Sequence, residues 1–408
     1  LSTHEFIGEL ALSGEVRPVS GCLPAAMACH RSGRQLVCPQ ANSAEAALSL
    51  HDNSNNQVFC AASLLDVCQY LHGQRSLPQL ARLEASVQAT SAEVGDLSDV
   101  KGQHQAKRAL EIAAAGRHHL LFFGPPGTGK SMLASRLPGI LPPLTPAQQL
   151  EVACIHSVSG GWNIAREKNA QASIQRPFSA PHHTASAVAL VGGGSQPKPG
   201  EISLAHQGVL FLDELPEFQR QVLEVLREPL ECGSIRISRA IAQIEFPAAF
   251  QLVAAMNPCP CGYWGQARCR CSREQVQRYQ GKISGPLLDR IDLHVPVTQL
   301  KKGELYQEAK TESSAQVQAR VQAAQTRQQQ RQGCCNGELS SRQLQTLCPL
   351  PESQQQLLDQ AMEALGLSAR ALHRTLKVAR TIADLEAVDV ITDQHLNEAL
   401  SYRGFNPL

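Results

Sequence analysis

The fold of this chain is decided by the stretch Gly124-Pro125-Pro126-Gly127-Thr128-Gly129-Lys130-Ser131. A short apolar run, Leu120 to Phe123, precedes it, and a segment compatible with a helix, Met132 to Leu137, follows it. Strand, glycine-rich loop and helix in this order are the context of a phosphate-binding P-loop. The glycines let backbone N–H groups turn inward around a polyphosphate, and the helix presents its positive end to the same anion. A glycine-rich turn that binds nothing is the alternative interpretation.

Two side chains of this loop have predicted roles of their own. Lys130 is expected to reach the β- and γ-phosphates of ATP, and the Ser131 hydroxyl is expected to ligate Mg²⁺. All eight residues are therefore predicted to bind the nucleotide.

A second apolar run, Val209 to Leu212, predicts a buried parallel strand, and two acids stand at its carboxyl end. Ligands of α/β proteins bind at this edge of the sheet. Asp213 is expected to order the hydration shell of Mg²⁺, and Glu214 to polarise the attacking water. Phe250 to Met256 predicts the neighbouring strand, and Asn257 at its end is expected to hold that water and sense the γ-phosphate. An apolar strand followed by two acids is by itself weak evidence for a nucleotide site. Together with a P-loop upstream it becomes a specific signal.

Four cysteines form a tight cluster: Cys259, Cys261, Cys269 and Cys271. Glycines between the two C-x-C pairs can turn the chain so that four thiols converge on a tetrahedral site. Zn²⁺ is the ion that such a site predicts. A loop with four free thiols is the alternative, and the sequence leaves the two open.

Two stretches are candidates for contact with DNA. Ser234 to Phe246 alternates apolar and polar residues and predicts a β-hairpin, with Arg236 and Arg239 near its tip. Residues 176–194 contain His182 and His183, and their proline and glycine content rules out a continuous helix. A solvated hairpin and an ordinary surface loop are the alternatives.

Composition does not decide whether the protein binds nucleic acid, but it does indicate in which cellular compartment the protein works. The 408 residues include 37 basic and 36 acidic side chains, so the net charge of +1 neither supports nor excludes nucleic acid. Fourteen cysteines are too few for a disulfide scaffold. Because a P-loop enzyme works in the reducing cytosol, we expect a cytoplasmic protein with mostly free thiols and no membrane segment. The chain begins at Leu1, and we expect further residues to precede it.

We predict five segments along the chain. They are a small α/β domain at 1–72, a linker at 73–96, an ATPase core at 97–300 with the cysteine insertion at 259–271, a polar connecting helix within 301–336, and a helical lid at 337–408. The first of these resembles the C-terminal part of a Lon-protease-type domain, through GELALSG, VRPVSG and CPQANSAEAAL. Leu23 stands where that resemblance implies the catalytic lysine. We therefore expect a truncated domain without the Ser–Lys dyad.

The rest of the chain resembles the AAA+ branch that contains magnesium chelatase, the MCM helicases and the ComM/YifB proteins. The stretches that carry the resemblance are RPFSAPHHTASAVALVGGG, PGEISLAHQGVLFLDELPEF, NPCPCG, GPLLDRIDLH and SARALHRTLKVARTIADLE. The resemblance implies an α/β fold with a P-loop parallel sheet, an insertion in helix 2, a pre-sensor hairpin and a C-terminal helical lid. It also implies a homo-hexamer whose central pore receives residues 176–194 and 234–246.

The implied activity is that of an ATP-driven helicase or translocase. It would promote branch migration of single-stranded or branched DNA in homologous recombination and natural transformation, with recombination proteins as further partners. Arg290 would be the arginine finger that acts on a neighbouring subunit, and Arg370 the sensor-2 arginine. Arg290 lies among apolar residues, with only Asp289 and Asp292 close to it in sequence. A magnesium-chelatase-like motor subunit and a protein-remodelling AAA+ ATPase are the alternative functions.

Overall fold

The computed structural model describes residues 2–50, 57–81, 95–160, 175–194, 197–238, 243–299 and 311–403. The strands are β1 (His4–Phe6), β2 (Glu9–Leu10), β3 (Val16–Arg17), β4 (Gln35–Pro39), β5 (Val58–Ala61), β6 (Leu120–Phe123), β7 (Phe178–Ser179), β8 (Gly192–Gly193), β9 (Lys198–Pro199), β10 (Val209–Leu212), β11 (Ser234–Ser238), β12 (Gln243–Pro247), β13 (Gln251–Met256) and β14 (Leu293–Pro296). The helices are α1 (Cys22–Arg31), α2 (Ser43–Ala47), α3 (Leu64–Leu71), α4 (His104–Gly116), α5 (Lys130–Ile140), α6 (Pro146–Ser159), α7 (Ala187–Val191), α8 (Glu201–Leu204), α9 (Arg220–Glu224), α10 (Pro229–Cys232), α11 (Arg273–Gln280), α12 (Gly285–Leu288), α13 (Ser314–Gln332), α14 (Ser341–Leu347), α15 (Glu352–Leu365), α16 (Ala369–Leu385) and α17 (Asp393–Ser401).

The chain forms two compact units, and each is built from several segments. The first unit comprises Leu1–Thr90, Leu144–Gln175 and Gly192–Gly200, and the second unit comprises the remainder. This division differs from the contiguous boundaries that the sequence predicts. Helix α6 and the β8–β9 pair lie inside the predicted ATPase core in sequence, yet they belong to the first unit.

A five-stranded parallel sheet organises the second unit, in the order β14-β6-β13-β10-β7. Its inner strands are apolar along their length because helices cover both faces of a parallel sheet. The carboxyl ends of β6, β10 and β13 meet at one edge, which brings together the P-loop, the acidic pair and Asn257. The predicted α/β class is confirmed. Residues 178–179, which the ordinary-loop alternative would leave irregular, form the edge strand β7 beside β10.

Helices α4, α5, α13 and α16 contribute to one apolar core with this sheet. Leu110, Leu133, Phe122 and Ile382 are completely buried in it. Replacing such a leucine by alanine typically costs about 2–5 kcal/mol, because it leaves a cavity as well as removing buried surface. The core therefore fixes the sheet edge that carries the P-loop.

Helix α13 differs from the exposed connecting helix that its polar composition predicts. It buries Val317, Val321, Ala324 and Gln328, which recur on one stripe, against the core. The polar residues occupy its other faces. A single stripe of this kind is enough to dock a helix whose overall composition is polar.

The C-terminal part of the second unit is helical, as predicted. Ser340, Ser368 and Thr392 cap the starts of α14, α16 and α17 with their side-chain oxygens. Gly366 ends α15 in the left-handed conformation, at φ 63°.

The first unit has its own parallel sheet, in the order β1-β4-β5, with α1 and α6 packed together. Leu23, the residue expected to replace a catalytic lysine, is completely buried in α1. Its backbone N–H donates to Glu45 at 3.1 Å, and this buried carboxylate also accepts from Asn42 at 2.9 Å and from Ser157. Leu23 therefore has a packing role. In the described parts of the chain, no helix has the length and hydropathy needed to cross a membrane.

Candidate nucleotide-binding site

The P-loop has the structural context that the sequence predicts. Buried strand β6 leads into residues 124–129, and α5 begins at Lys130. Gly127 and Gly129 adopt left-handed conformations, with φ of 75° and 89°. A Cβ at Gly124 would lie 2.1 Å from the carbonyl oxygen of Val297, so only glycine fits there. The loop is thus shaped by its backbone, and its N–H groups are available to an anion at the start of α5.

The amine of Lys130 lies inside this loop. Its Nζ donates to the carbonyls of Gly124 at 2.8 Å and Pro125 at 2.9 Å, and to Oδ1 of Asn257 at 3.1 Å. Burial lowers the pKa of Lys130, and the carboxylates of Asp213 and Glu214 act in the opposite direction. Phosphate oxygens can replace these neutral acceptors, which would give the ammonium a stronger, charge-assisted partner.

The two residues predicted to hold Mg²⁺ are in contact. Ser131 Oγ donates to Oδ2 of Asp213 at 2.6 Å, across the carboxyl edge of the sheet. A hydroxyl and a carboxylate are hard oxygen ligands of the kind that Mg²⁺ takes, with water and substrate oxygens completing the shell. The donor set therefore fits the ion.

Glu214 has an unusual backbone and an unexpected partner. Its φ of 53° is left-handed, which costs free energy in a non-glycine residue and tends to occur at functional sites. Its Oε2 lies 3.3 Å from Nδ1 of His183, in the turn that follows β7. The sequence predicted His183 only as a DNA contact. Nothing in the sequence around either residue signals that they meet.

Arg290 and Arg370 lie together, but at the opposite edge of the sheet from the P-loop. Arg290 precedes β14, and its side chain is only 5% exposed. Its guanidinium donates to Oε1 of Glu231 at 2.5 Å, and Arg370 contacts the same oxygen. The expectation that Arg290 has no anionic neighbour beyond Asp289 and Asp292 is therefore wrong. Glu231 was missed because it is remote in sequence.

The surroundings of this pair are basic. Asp292 forms an ion pair with Arg374, in which Nη1 of the arginine lies 2.7 Å from Oδ1 of the aspartate. A cavity of about 680 Å³ is lined by several cationic side chains, among them Arg117, Arg370, Arg374 and Lys377.

The strands separate this edge from the P-loop of the same chain by roughly 13 Å, at about 3.3 Å per residue over four residues. The two arginines are thus placed away from their own chain's nucleotide loop.

The predicted hairpin is present as β11 and β12, and Arg236 lies on it. Arg236 is exposed and pairs with Glu245, its directly opposite residue, at 3.3 Å. Arg239 lies outside the described residues. His182 is exposed, and its ring centroid is 4.1 Å from that of His183. Contact of these side chains with DNA stays a prediction.

The four clustered cysteines converge. One sulfur from each of Cys259, Cys261, Cys269 and Cys271 lies within 4.8 Å of the others. Backbone N–H groups of Arg270 and Tyr263 hydrogen-bond the Cys261 sulfur and lower the pKa of its thiol to about 6. The cluster directly follows Asn257, which ties it to the nucleotide loop.

Three descriptions of known families match most of this chain. The family description "Magnesium chelatase, subunit ChlI" matches residues 96–305. Its C-terminal counterpart matches residues 311–403, and "Subunit ChlI of Mg-chelatase" matches residues 1–42. Fold and matches together define a AAA+ protein of the magnesium-chelatase-like branch. Membership of this branch implies the use of ATP and Mg²⁺.

Individual relatives narrow the assignment. Competence protein ComM of Haemophilus influenzae is 49% identical over 407 residues, which cover 99% of this chain and 78% of the relative. YifB of Salmonella typhimurium is 50% identical over 410 residues, which cover 100% and 78%. The chain belongs to the ComM/YifB family. The magnesium-chelatase 38 kDa subunit of Cereibacter sphaeroides is more distant, at 25% identity over 331 residues, or 75% of this chain and 91% of that subunit.

Proposed function

We propose that this chain is a cytoplasmic ATP hydrolase that assembles into a homo-hexameric ring and moves branched DNA. In this proposal it drives branch migration during homologous recombination, including the recombination that completes natural transformation. The proposal of a ring rests on one observation: Arg290 and Arg370 lie away from the P-loop of their own chain. The similarity to a protein named for competence supports the DNA substrate.

Within one subunit, the P-loop edge binds and orients the nucleotide. Lys130 exchanges its carbonyl and amide partners for phosphate oxygens. Ser131 and Asp213 would hold Mg²⁺, which would supply charge neutralisation for the transferred phosphoryl group. Glu214 accepts a hydrogen bond from the attacking water and draws its proton away. Asn257 fixes that water from the neighbouring strand end.

The neighbouring subunit supplies the remaining positive charge. Arg290 and Arg370 stand at the amino edge of the sheet, where an adjacent copy of the chain can present its nucleotide. Until then Glu231 partly neutralises the two guanidinium groups, because its single carboxylate accepts from both. The γ-phosphate of the adjacent subunit competes for them, and the charge that develops during hydrolysis strengthens that competition.

Contact with DNA is assigned to the β11–β12 hairpin and to residues 176–194, facing the pore of the ring. Arg236 exchanges Glu245 for a backbone phosphate. Phosphate contact is independent of sequence, so the motor can follow any DNA through its pore. His183 joins one of these segments to Glu214, which offers a direct route from DNA contact to the catalytic carboxylate.

A single ATPase experiment tests the proposal. Hydrolysis is measured without DNA and with single-stranded DNA, duplex or a four-way junction, at matched nucleotide concentration. We expect stimulation by DNA, strongest with the junction, together with conversion of the junction to its products by the same preparation. Lys130→Ala is the control for contaminating activity. Equal rates in all four conditions, with no movement of the junction, would exclude a DNA motor.

The distant similarity to a magnesium-chelatase subunit supports a second candidate function. In this alternative the chain is a motor that drives metal insertion into a porphyrin. This motor would hydrolyse ATP without responding to DNA. It would instead respond to a porphyrin-binding partner subunit. The same four-way comparison therefore separates the two candidates.

A further inference from the structure

We propose that Cys259, Cys261, Cys269 and Cys271 bind one zinc ion, and that the resulting zinc knuckle (residues 258–271) positions the P-loop and Asn257. The motor mechanism above makes no use of these four thiols. The inference goes beyond the proposed function, because the metal content does not depend on what the motor acts upon.

The spacing of the sulfur atoms fits a metal centre. Cys259 and Cys261 sulfurs are 3.4 Å apart, and Cys269 lies 3.9 Å from the first and 3.6 Å from the second. A tetrahedral site with Zn–S bonds of about 2.3 Å requires sulfur atoms about 3.8 Å apart. A disulfide requires about 2.05 Å, and all four cysteines are free. The arrangement is therefore that of four ligands around a common centre.

The zinc knuckle has almost no apolar core to hold it in this shape. Among its residues only Cys259 and Gly262 are buried. Small folded segments with so little buried surface usually depend on a metal or a disulfide. The four convergent thiols are the available cross-link, since no disulfide joins them.

Both ends of the zinc knuckle are anchored in regular structure. Its first residue follows β13 closely, and Nε2 of the buried Gln280 donates to the carbonyl of Pro258 at 2.9 Å. Its last residue precedes Ser272, which caps α11 by accepting from the N–H of Gln275 at 3.2 Å. The N–H of Gly262 donates to the carbonyl of Cys259 at 2.9 Å and closes the first turn. The two ends of the zinc knuckle are thus held from outside it, and the metal would fix the part between them.

The zinc knuckle also touches the nucleotide loop. A Cβ at Gly262 would lie 2.6 Å from Cδ of Pro126, so the Pro126 ring packs against the Gly262 backbone without room for a side chain. Asn257, immediately before the zinc knuckle, accepts from Lys130 at 3.1 Å. A metal that fixes the zinc knuckle therefore fixes both neighbours of the phosphate site, and its role is structural rather than catalytic.

Metal content is the first test. Protein purified without chelators is analysed for all transition metals, alongside Cys269→Ser/Cys271→Ser. The matched control, Cys68→Ser/Cys154→Ser, also removes two thiols but none from the cluster. We expect about one zinc per chain in the wild type and the control, and a loss of at least about tenfold in the cluster variant. Wild-type protein without zinc and with all four thiols freely titratable would overturn the proposal, as would iron in place of zinc.

A glycine pair tests the coupling without removing a ligand. Gly262 and Gly265 have nearly the same left-handed φ, 84° and 81°, but an added Cβ meets Pro126 only at Gly262. We expect Gly262→Ala and Gly265→Ala both to retain zinc. Binding of a fluorescent ATP analogue should be about tenfold weaker in Gly262→Ala than in Gly265→Ala, because the overpacked contact displaces the loop. Equal nucleotide affinities in the two zinc-loaded variants would overturn the coupling.

Discussion

Arg290 and Arg370 donate to the same carboxylate oxygen, Oε1 of Glu231, at the sheet edge opposite the P-loop. One carboxylate cannot neutralise two guanidinium groups fully. The pair therefore retains net positive charge, beside a cavity whose lining is also rich in cations. If a neighbouring subunit presents its nucleotide here, as proposed, we expect this charge to attract the incoming phosphate before it displaces Glu231.

Mixing two inactive variants tests whether these arginines act on a neighbouring subunit. Lys130→Ala lacks the phosphate-binding amine, and Arg290→Ala lacks the finger. In a mixed ring, some interfaces pair an intact P-loop with an intact finger, so ATPase activity should partly return if those interfaces act independently. Activity of the wild type should also rise with protein concentration as rings form. A monomer that hydrolyses ATP at the full rate would contradict the shared site.

Lys130 and Glu214 should fail in different ways. Lys130→Ala removes the ammonium that binds phosphate, so binding of a fluorescent ATP analogue should be lost together with hydrolysis. Glu214→Gln keeps the shape of the side chain but cannot accept the water's proton, so nucleotide binding should persist while turnover falls about 10²-fold or more. Normal turnover in Glu214→Gln would show that another group is the base.

His183 should restrain Glu214 while no DNA is bound. Its ring holds one oxygen of the carboxylate, which competes with the attacking water for the same lone pairs. We expect His183→Ala to raise the basal ATPase rate and to lower the ratio of DNA-stimulated to basal rate. His182→Ala, which changes the adjacent ring but leaves Glu214 untouched, is the matched control for the basal rate. A basal rate that falls or stays constant in His183→Ala would mean that the contact does not restrain catalysis.

The hairpin offers two changes of opposite sign at one ion pair. Arg236→Gln removes a cation and should weaken DNA binding and the DNA-stimulated ATPase, with little effect on basal hydrolysis. Glu245→Gln frees the same cation and should strengthen DNA binding. The salt dependence of binding should decrease by about one unit of slope in Arg236→Gln, because one phosphate contact is lost. Identical DNA affinities in both variants would show that the hairpin is a solvated surface that does not bind DNA.

Two histidines, His294, which is buried, and His119, which is partly buried, should make the second unit sensitive to acid. Burial lowers the pKa of His119 to about 4 and that of His294 to about 3. The unfolded chain, with ordinary values of about 6.5, binds more protons between these limits, so stability falls as pH decreases from about 6.5 to 4. The two residues together contribute a slope of about 2.7 kcal/mol per pH unit.

His294→Leu should remove about half of that slope, because the remaining contribution comes from His119. Urea unfolding at a series of pH values measures it, with His182→Leu as the control for loss of an exposed histidine. An unchanged pH dependence in His294→Leu would show that this ring binds protons equally in the folded and unfolded chain.

The local features of the nucleotide site could be predicted from the sequence. β6, β10 and β13 after Gln251 are continuous apolar runs, and the residues predicted to act at the site follow them directly. Because parallel strands end at one edge, the P-loop, Asp213 and Asn257 had to come together there. The hairpin could be predicted for the same reason, since alternation over a few residues determines its pairing.

Contacts between distant segments could not be predicted. Glu231 is one of 36 acidic residues, and nothing near it in sequence indicates that it meets Arg290. The meeting of His183 and Glu214 depends on the short strand β7, whose two residues carry no periodicity. The buried stripe of α13 was hidden by the polar residues around it. In each case the partner is set by tertiary packing, which overrides local composition.

The interleaved segments of the first unit have a consequence for truncation. Helix α6 packs on α1, and it buries Val152, Ala153 and Ile155 within this unit. Cutting the chain before the P-loop would leave α6 behind without its partner and would expose that apolar face to solvent. The N-terminal portion is therefore not an independent module. We expect its removal to produce an aggregation-prone ATPase rather than a minimal active motor.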